Sequence, residues 1–182
     1  KDCYIIQEYL PQDLYFYLDT TKYLEEDKAR LIAEQLLDGL DFLSSKYNLY
    51  HSDIKLENIA LEEEDNLSSL KLIDFSNYII IPKKEEYVKV PKYEYGTLGY
   101  IAPEVFIGKF YKNSDIWSIG VLLYLLLTNK FIQDEYCIVK LTQDQIDKKL
   151  EKLKKLPNPI SEDLFRLIYN MLRIDPKERI TI

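Results

Sequence analysis

The chain has 182 residues, of which 47% are hydrophobic and 30% charged, and its net charge is −7. These proportions are typical of a globular protein and exclude a disordered or collagen-like chain. The negative net charge argues against a general nucleic-acid binder, because such proteins carry an excess of Lys and Arg.

The longest apolar run covers residues 116–127, contains Ser118 and Gly120, and is too short to span a bilayer. No signal-peptide pattern opens the chain. The two cysteines, Cys3 and Cys137, cannot form a disulfide framework, which favours a reducing compartment. We therefore predict an intracellular, cytoplasmic protein with no nucleic-acid or membrane partner.

The first third of the chain predicts one strand and two helices. β-Branched and aromatic residues predict a strand over residues 4–9, and a short helix follows over 13–18. A long helix is predicted to begin near Thr20 or Thr21. Gly39 lies inside this helix, so we expect a neighbour to pack closely there. Four apolar residues at helical spacing define its buried face: Ile32, Leu36, Leu40 and Leu43.

The rest of the chain predicts a hairpin and then helices. Short strands over 58–61 and 70–73 flank an acidic loop, which we interpret as a solvated turn rather than a metal site. Residues 76–97 are predicted to be irregular. Helical patterns cover residues 114–128, 142–155 and 161–172.

The residues best suited to chemistry lie around the predicted hairpin. Asp53, Lys55 and Asn58 occupy the loop before its first strand, and Asp74 directly follows its second strand. Carboxylate and amide oxygens are ligands that magnesium prefers, and a lysine can neutralise phosphate charge. Each residue taken alone is equally well explained as an ordinary surface side chain.

Five ordered motifs resemble those of the protein kinases. Residues 51–58, H-S-D-I-K-L-E-N, resemble the catalytic loop H-R-D-x-K-x-x-N, and residues 74–76, D-F-S, resemble D-F-G. The other three are G-T-L-G-Y-I-A-P-E at 96–104, D-I-W-S-I-G at 115–120 and D-P-K-E-R at 175–179. Lys55 and Thr97 together resemble serine/threonine kinases, so the chain is identified as a member of the eukaryotic-type serine/threonine kinases.

The resemblance implies an α+β, mostly helical fold: a kinase-like large lobe with a hinge and a small hairpin sheet at the nucleotide cleft. Residues 1–182 would be a partial kinase domain, with the last small-lobe strand and hinge in 1–10 and the helical lobe in 11–182. The chain begins at Lys1, its single Met is Met171, and it contains no G-x-G sequence. We expect that the small lobe of the same protein is missing and that this piece alone is inactive.

The resemblance also implies the catalytic roles. Asp53 would orient the hydroxyl of a protein Ser or Thr and accept its proton, and Lys55 would stabilise charge on the γ-phosphoryl of ATP. Thr97 would hydrogen-bond into this pair. Asn58 and Asp74 would hold Mg²⁺ on the nucleotide phosphates.

Nucleotide-binding residues follow from the same resemblance. The main chain of Glu8 and Leu10 would bind the adenine edge, with Gln7 as gatekeeper. Asp13 would reach the ribose, although an ordinary edge strand and helix cap is the alternative for this residue. Ala60 would form a floor of the adenine pocket that is smaller than usual in the family.

Other matching residues are expected to be structural. Glu104 and Arg179 would form a buried ion pair, whose loss of one partner costs roughly 3–5 kcal/mol. Asp115 would brace the catalytic loop through its backbone. His51 would pack against Phe75 and not act as a base.

Two substitutions depart from the family pattern: Ser52 replaces the Arg that usually binds an activation-loop phosphate, and Ser76 replaces the Gly of D-F-G. No Ser or Thr lies between Asn77 and Gly96. We therefore hypothesise that Ser/Thr phosphorylation of this loop does not switch the protein. Tyr87, Tyr93 and Tyr95 remain as possible sites. A pseudokinase or scaffold is the alternative function.

Overall fold

The computed structural model describes residues 4, 6–92, 94–132 and 141–182. The predictions that concern Cys3, Cys137 and Tyr93 lie outside these residues. A helical core dominates the described part, and the strands are all short.

Helix α4, Ser114–Thr128, lies at the centre of the core. Every residue from 114 to 127 is buried. Because a helix that is apolar on all sides must be covered on all sides, α2 (Glu26–Tyr47) packs on it from one direction and α6 (Glu162–Met171) from another. The sequence predicted both the extent and the burial of α4.

Helices α1 and α2 divide at a different place from the one predicted. Helix α1, Leu14–Thr21, includes both threonines that were expected to start the long helix. Lys22 follows with a φ of 70°, a left-handed conformation that ends α1. Helix α2 therefore begins only at Glu26, and its acidic first turn favours that start.

The predicted hairpin is confirmed and extended by a third strand. Strand β3, Ile59–Leu61, pairs antiparallel with β4, Leu70–Leu72. Strand β1, Gln12–Asp13, adds to the other edge of β3, which gives the order β1-β3-β4. This small sheet places the residues before α1 beside the hairpin.

The strand predicted over residues 4–9 is wrong for its described part. Tyr4 and residues 6–10 lie in no strand, and the side chains of Tyr4, Ile6 and Tyr9 are exposed. A strand needs backbone hydrogen bonds to a neighbour, and no described segment pairs with these residues. Propensity alone was therefore misleading here.

Residues 76–97, predicted to be irregular, contain two short strands. Strand β5, Ile79–Ile80, pairs with β2, Leu49–Tyr50. Strand β6, Tyr87–Lys89, pairs with β7, Lys109–Tyr111. The rings of Tyr87 and Tyr111 stack with centroids 4.8 Å apart. Non-local pairing thus fixes a segment whose own sequence shows little strand pattern.

The last helices lie where they were expected, although one is shorter. Helix α5, Gln143–Leu150, begins at a capping box between Thr142 and Gln145, and a 3-10 turn over Leu153–Lys155 follows it. None of the described helices is both long and apolar enough to cross a membrane.

The predicted Glu104–Arg179 ion pair is present and buried. Glu104, on the short helix α3 (Pro103–Phe106), accepts hydrogen bonds from both terminal nitrogens of Arg179 at 2.5 and 2.9 Å. Ser114 donates a further hydrogen bond to Glu104 at 2.8 Å. Because both charges are buried, removing one partner would leave the other uncompensated.

We predict opposite effects on stability when the helical glycines Gly39 and Gly120 are replaced by alanine. A Cβ on Gly120 would lie 2.9 Å from atoms of Met171 and Leu172, so Gly120→Ala should destabilise the fold by about 1–3 kcal/mol. A Cβ on Gly39 would meet nothing within 4 Å, which corrects the expected close packing there. Gly39→Ala should therefore stabilise the fold by about 0.5–1 kcal/mol through helix propensity.

Urea unfolding of the intact protein measures both changes in the free energy of unfolding. Each variant is the control for the other, because the chemical change is identical and only the surroundings differ. Equal shifts of the same sign would contradict the packing of α4 on α6.

Candidate active site

The loop between β2 and β3 is held by a buried carboxylate. Asp115, in the first turn of α4, accepts hydrogen bonds from the backbone N–H groups of His51 at 2.8 Å and Ser52 at 2.9 Å. Burial raises the pKa of Asp115, while these N–H donors and His51 act in the opposite direction. The predicted bracing of the loop by Asp115 is confirmed.

His51 is fully buried, and both of its ring nitrogens are engaged in hydrogen bonds. Nε2 donates to the carbonyl of Ile73 at 2.9 Å, and Nδ1 accepts from the N–H of Asp53 at 3.3 Å. The ring also contacts Phe75 edge to face, with centroids 4.8 Å apart. The predicted packing of His51 against Phe75 is confirmed, and the ring also joins the two loops of the site.

Three polar side chains converge at the centre of the site. Lys55 Nζ lies 3.3 Å from Asp53 Oδ2 and donates to Thr97 Oγ1 at 3.0 Å. Thr97 in turn donates to Asp53 Oδ1 at 2.7 Å. The predicted contact of Thr97 with the Asp53–Lys55 pair is thus present, and it joins residues 44 positions apart.

Asn58 approaches the same carboxylate from the 3-10 turn before β3. Its amide nitrogen donates to the backbone carbonyl of Asp53 at 2.9 Å and to Oδ2 at 3.2 Å. Asp53 and Asn58 are both buried. Because the amide nitrogen faces Asp53, the amide oxygen is the atom that could bind a cation.

Asp74 lies two residues after β4 and starts a 3-10 turn over Phe75–Asn77. Its Oδ1 accepts hydrogen bonds from Ser76 Oγ at 2.6 Å and Ser76 N at 3.2 Å. Mainly because of the Ser76 hydroxyl, and then because of the Ser76 N–H, the pKa of Asp74 is lowered. The residue before Asp74 is bonded to Asn58: the N–H of Ile73 donates to the backbone carbonyl of Asn58 at 2.9 Å. This hydrogen bond brings Asp74 close to Asn58.

The donor set fits magnesium only if other ligands complete it. Among the described residues, no group of three or more His, Cys, Asp and Glu side chains could hold a metal. Asn58 and Asp74 offer two hard oxygen ligands, and Mg²⁺ characteristically takes one or two protein oxygens together with phosphate and water. The pair therefore fits a phosphate-bound magnesium ion better than a protein cage.

The predicted nucleotide-side residues are spread along the edge of the small sheet. Asp13 and Ala60 are direct neighbours across β1 and β3, and Ala60 is buried. The Asp13 carboxylate accepts from Phe16 N at 2.7 Å, so it does cap α1. The exposed Glu8 carboxylate contacts Lys71 on β4 at 2.6 Å, and Leu10 is half-buried.

Sequence reasoning missed several contacts around the site. The Glu8–Lys71 ion pair, with Glu62 at 3.4 Å from the same lysine, connects the segment before β1 to the hairpin. Ser52 donates from its hydroxyl to the carbonyl of Asn77 at 2.5 Å. No sequence motif identifies these partners, because they lie far apart in the chain and meet only in the folded structure.

Known proteins are similar to this chain over nearly its whole length. A family model described as "Protein kinase domain" matches residues 1–182. "SNF1-related protein kinase catalytic subunit alpha KIN12" of Arabidopsis thaliana is 33% identical over 188 residues, which cover 100% of this chain and 35% of that protein. "CBL-interacting serine/threonine-protein kinase 8" of the same plant is 35% identical over 183 residues, with 98% and 38% covered.

A third relative comes from another organism. "Serine/threonine-protein kinase atg1" of Dictyostelium discoideum is 33% identical over 166 residues, with 91% of this chain and 24% of that protein covered. The chain thus spans between 24% and 38% of the length of these relatives.

The hydrogen bonds from Ser76 predict how cation binding depends on pH. The lowered pKa of Asp74 keeps its carboxylate ionised to a lower pH. If this carboxylate binds a cation, as we propose below, the affinity is lost as the pH falls through that pKa. Ser76→Ala removes the hydroxyl donor, so the pKa of Asp74 should rise. Acid loss of Mg-ATP binding should then begin at a higher pH.

Calorimetric titration of the intact protein with Mg-ATP across the acid range measures this shift. Ser68→Ala, at an exposed serine of the hairpin loop, is the control and should leave the profile unchanged. An identical acid profile for Ser76→Ala and the wild type would contradict the inferred effect of the hydroxyl.

Proposed function

The chain belongs to the protein kinase family, and we propose that the intact protein transfers the γ-phosphoryl group of ATP to Ser or Thr hydroxyls of protein substrates. The observation that carries this proposal is the Asp53–Lys55–Thr97 bridge, in which a carboxylate, an ammonium group and a hydroxyl meet within 3.3 Å. Phosphoryl transfer depends mainly on positioning and electrostatic stabilisation, and this cluster supplies both.

Asp53 is proposed as the base that orients the substrate hydroxyl and accepts its proton. Its Oδ1 accepts from Thr97 and its Oδ2 faces Lys55 and Asn58, so the carboxylate is held in one orientation. Lys55 lies beside it and would stabilise charge that develops on the transferred group. Thr97 is a positioning residue that holds the two together.

Asn58 and Asp74 are proposed to hold magnesium. When bound, Mg²⁺ would neutralise charge on the nucleotide phosphates. The protein contributes an amide oxygen and an ionised carboxylate at neighbouring strand ends, and the hydrogen bonds from Ser76 keep the carboxylate deprotonated. The antiparallel pairing of β3 with β4 supports the proximity of these two side chains.

We place the adenosine along the segment before β1. Backbone groups of Glu8 and Leu10 would bind the adenine edge, and Ala60 would form the floor of its pocket. Asp13 would reach the ribose with the carboxylate oxygen that does not cap α1. In this proposal residues 1–10 form the hinge, without the strand that was expected there, and residues 11–182 form the helical lobe.

A groove beside Thr97 supports a peptide as the acceptor. Its lining includes Tyr15, Asp19, Glu57, Leu98 and Phe131. Leu98 is exposed although it is apolar, and Phe131 is partly exposed, so the groove offers both apolar and acidic surface. An extended segment of a protein substrate would bring its Ser or Thr hydroxyl to Asp53 from this side.

Matched carboxamide variants of the intact protein test the proposed function. Asp53→Asn should lower kcat by roughly 10²–10⁴-fold, because the base is lost, while Mg-ATP still binds. Asp74→Asn should lose both turnover and Mg-dependent ATP binding. The measurements are phosphate transfer to a Ser/Thr peptide library and Mg-ATP thermal shift.

Asp144→Asn is the control, because Asp144 is exposed and pairs only locally with Lys148. It should behave like the wild type. A wild type that binds Mg-ATP and transfers no phosphate would instead support the pseudokinase or scaffold, which Ser52, Ser76 and Ala60 motivate. Full activity of Asp53→Asn would contradict the assigned base.

The 182-residue chain alone is predicted to be inactive. Kinases bind the phosphates beneath a glycine-rich loop and use a strand lysine with a helix glutamate, and the five glycines here include no G-x-G pair. The purified segment should therefore show no phosphate transfer and weak ATP binding. Robust transfer to a peptide by the segment, at a rate comparable to the intact protein, would refute this.

Activity is further predicted not to depend on a phosphate in the segment between Asn77 and Gly96. There is no Ser or Thr between Asn77 and Gly96, and the pairing of β6 with β7 orders part of the segment through backbone hydrogen bonds. Phosphopeptide mapping of active protein should find no essential phosphate here. An obligatory phosphotyrosine at Tyr87, Tyr93 or Tyr95 would contradict the idea.

A further inference from the structure

Ser52 occupies an unusual position between the two loops of the site. It is 8% exposed and adopts a φ of 66°, the left-handed region that non-glycine residues rarely enter. Its N–H donates to Asp115, and its hydroxyl donates to the carbonyl of Asn77 at 2.5 Å. The backbone N–H thus anchors this strained residue to Asp115 on α4, while its side chain bonds to Asn77 in the segment after β4.

This hydrogen bond connects the two acids of the proposed mechanism. Ser52 directly precedes Asp53, and Asn77 ends the 3-10 turn that Asp74 begins. The side chains of residues 74–77 are exposed, so burial does little to fix the turn. Within the described part of the chain, Ser52 is the one side chain from outside the turn that hydrogen-bonds to it.

The chemistry of the contact is independent of charge. A guanidinium group at this position would need an anionic partner to offset its desolvation. A serine hydroxyl instead satisfies a backbone carbonyl, which every residue type supplies. The hydrogen bond from Ser52 to Asn77 therefore forms without any added phosphate.

We propose that Ser52 is a positioning residue that sets the turn carrying Asp74 relative to Asp53 through its hydroxyl. This inference rests on the proposed function, because it assigns Asp74 to the magnesium site. Loss of the hydroxyl releases the turn and weakens magnesium-dependent nucleotide binding, while the Asp53–Lys55–Thr97 bridge is left in place.

The test compares two variants of the intact protein. Ser52→Ala removes the hydroxyl, and Ser52→Gly removes it while also relaxing the left-handed backbone. An effect shared by both variants reports the hydroxyl and not the strain. The matched control is Ser118→Ala: Ser118 is equally buried, at 8% exposed, and donates to the carbonyl of Tyr100 at 2.9 Å.

Two readouts separate positioning from stability. In both Ser52 variants, the Mg²⁺ concentration that gives half-maximal ATP binding should rise roughly 3- to 10-fold, the loss expected from one hydrogen bond. Amide hydrogen exchange over residues 75–80 should accelerate. Ser118→Ala should lower the Tm and change neither readout.

The outcomes distinguish this inference from the proposed function. Ser52 variants that only lower the Tm, with unchanged Mg²⁺ dependence and exchange, overturn the positioning role. A wild type that binds Mg-ATP without transferring phosphate overturns kinase turnover alone, since binding and exchange still decide the role of Ser52. A wild type that binds no Mg-ATP overturns both.

Discussion

The buried carboxylate of Asp115 is the contact on which the site depends. A carboxylate taken out of water is costly unless hydrogen bonds compensate it, and here two backbone N–H groups do so. Because those donors belong to His51 and Ser52, the most buried helix of the fold fixes the backbone just before Asp53. The core and the loop that carries Asp53 are therefore rigidly connected.

From that anchor, contacts extend to a second loop that carries Asp74. His51 reaches the carbonyl of Ile73 and the ring of Phe75, and Ser52 reaches the carbonyl of Asn77. None of these contacts requires a charged group on the second loop. Folding alone can therefore set the position of these two loops relative to each other.

The longer segment between Asp74 and Glu104 is likewise held by contacts within the fold. Backbone pairing of β6 with β7 and the stacked rings of Tyr87 and Tyr111 order its middle. Its far end is held by the Glu104–Arg179 pair, which buries opposite charges together. Backbone hydrogen bonds, a ring contact and an internal ion pair thus order this segment.

Local patterns in the sequence determined the helices, the β3–β4 hairpin and the identity of the residues that converge at Asp53. Helical periodicity and short ordered motifs are properties of neighbouring residues, so they can be read without a structure. Tertiary structure alone decided the end of α1 at Lys22, the β6–β7 pairing, the open surroundings of Gly39 and the tight ones of Gly120. It also decided that the Ser52 hydroxyl meets Asn77. These features depend on which distant segments become neighbours, and no property of one segment encodes the register of its partner.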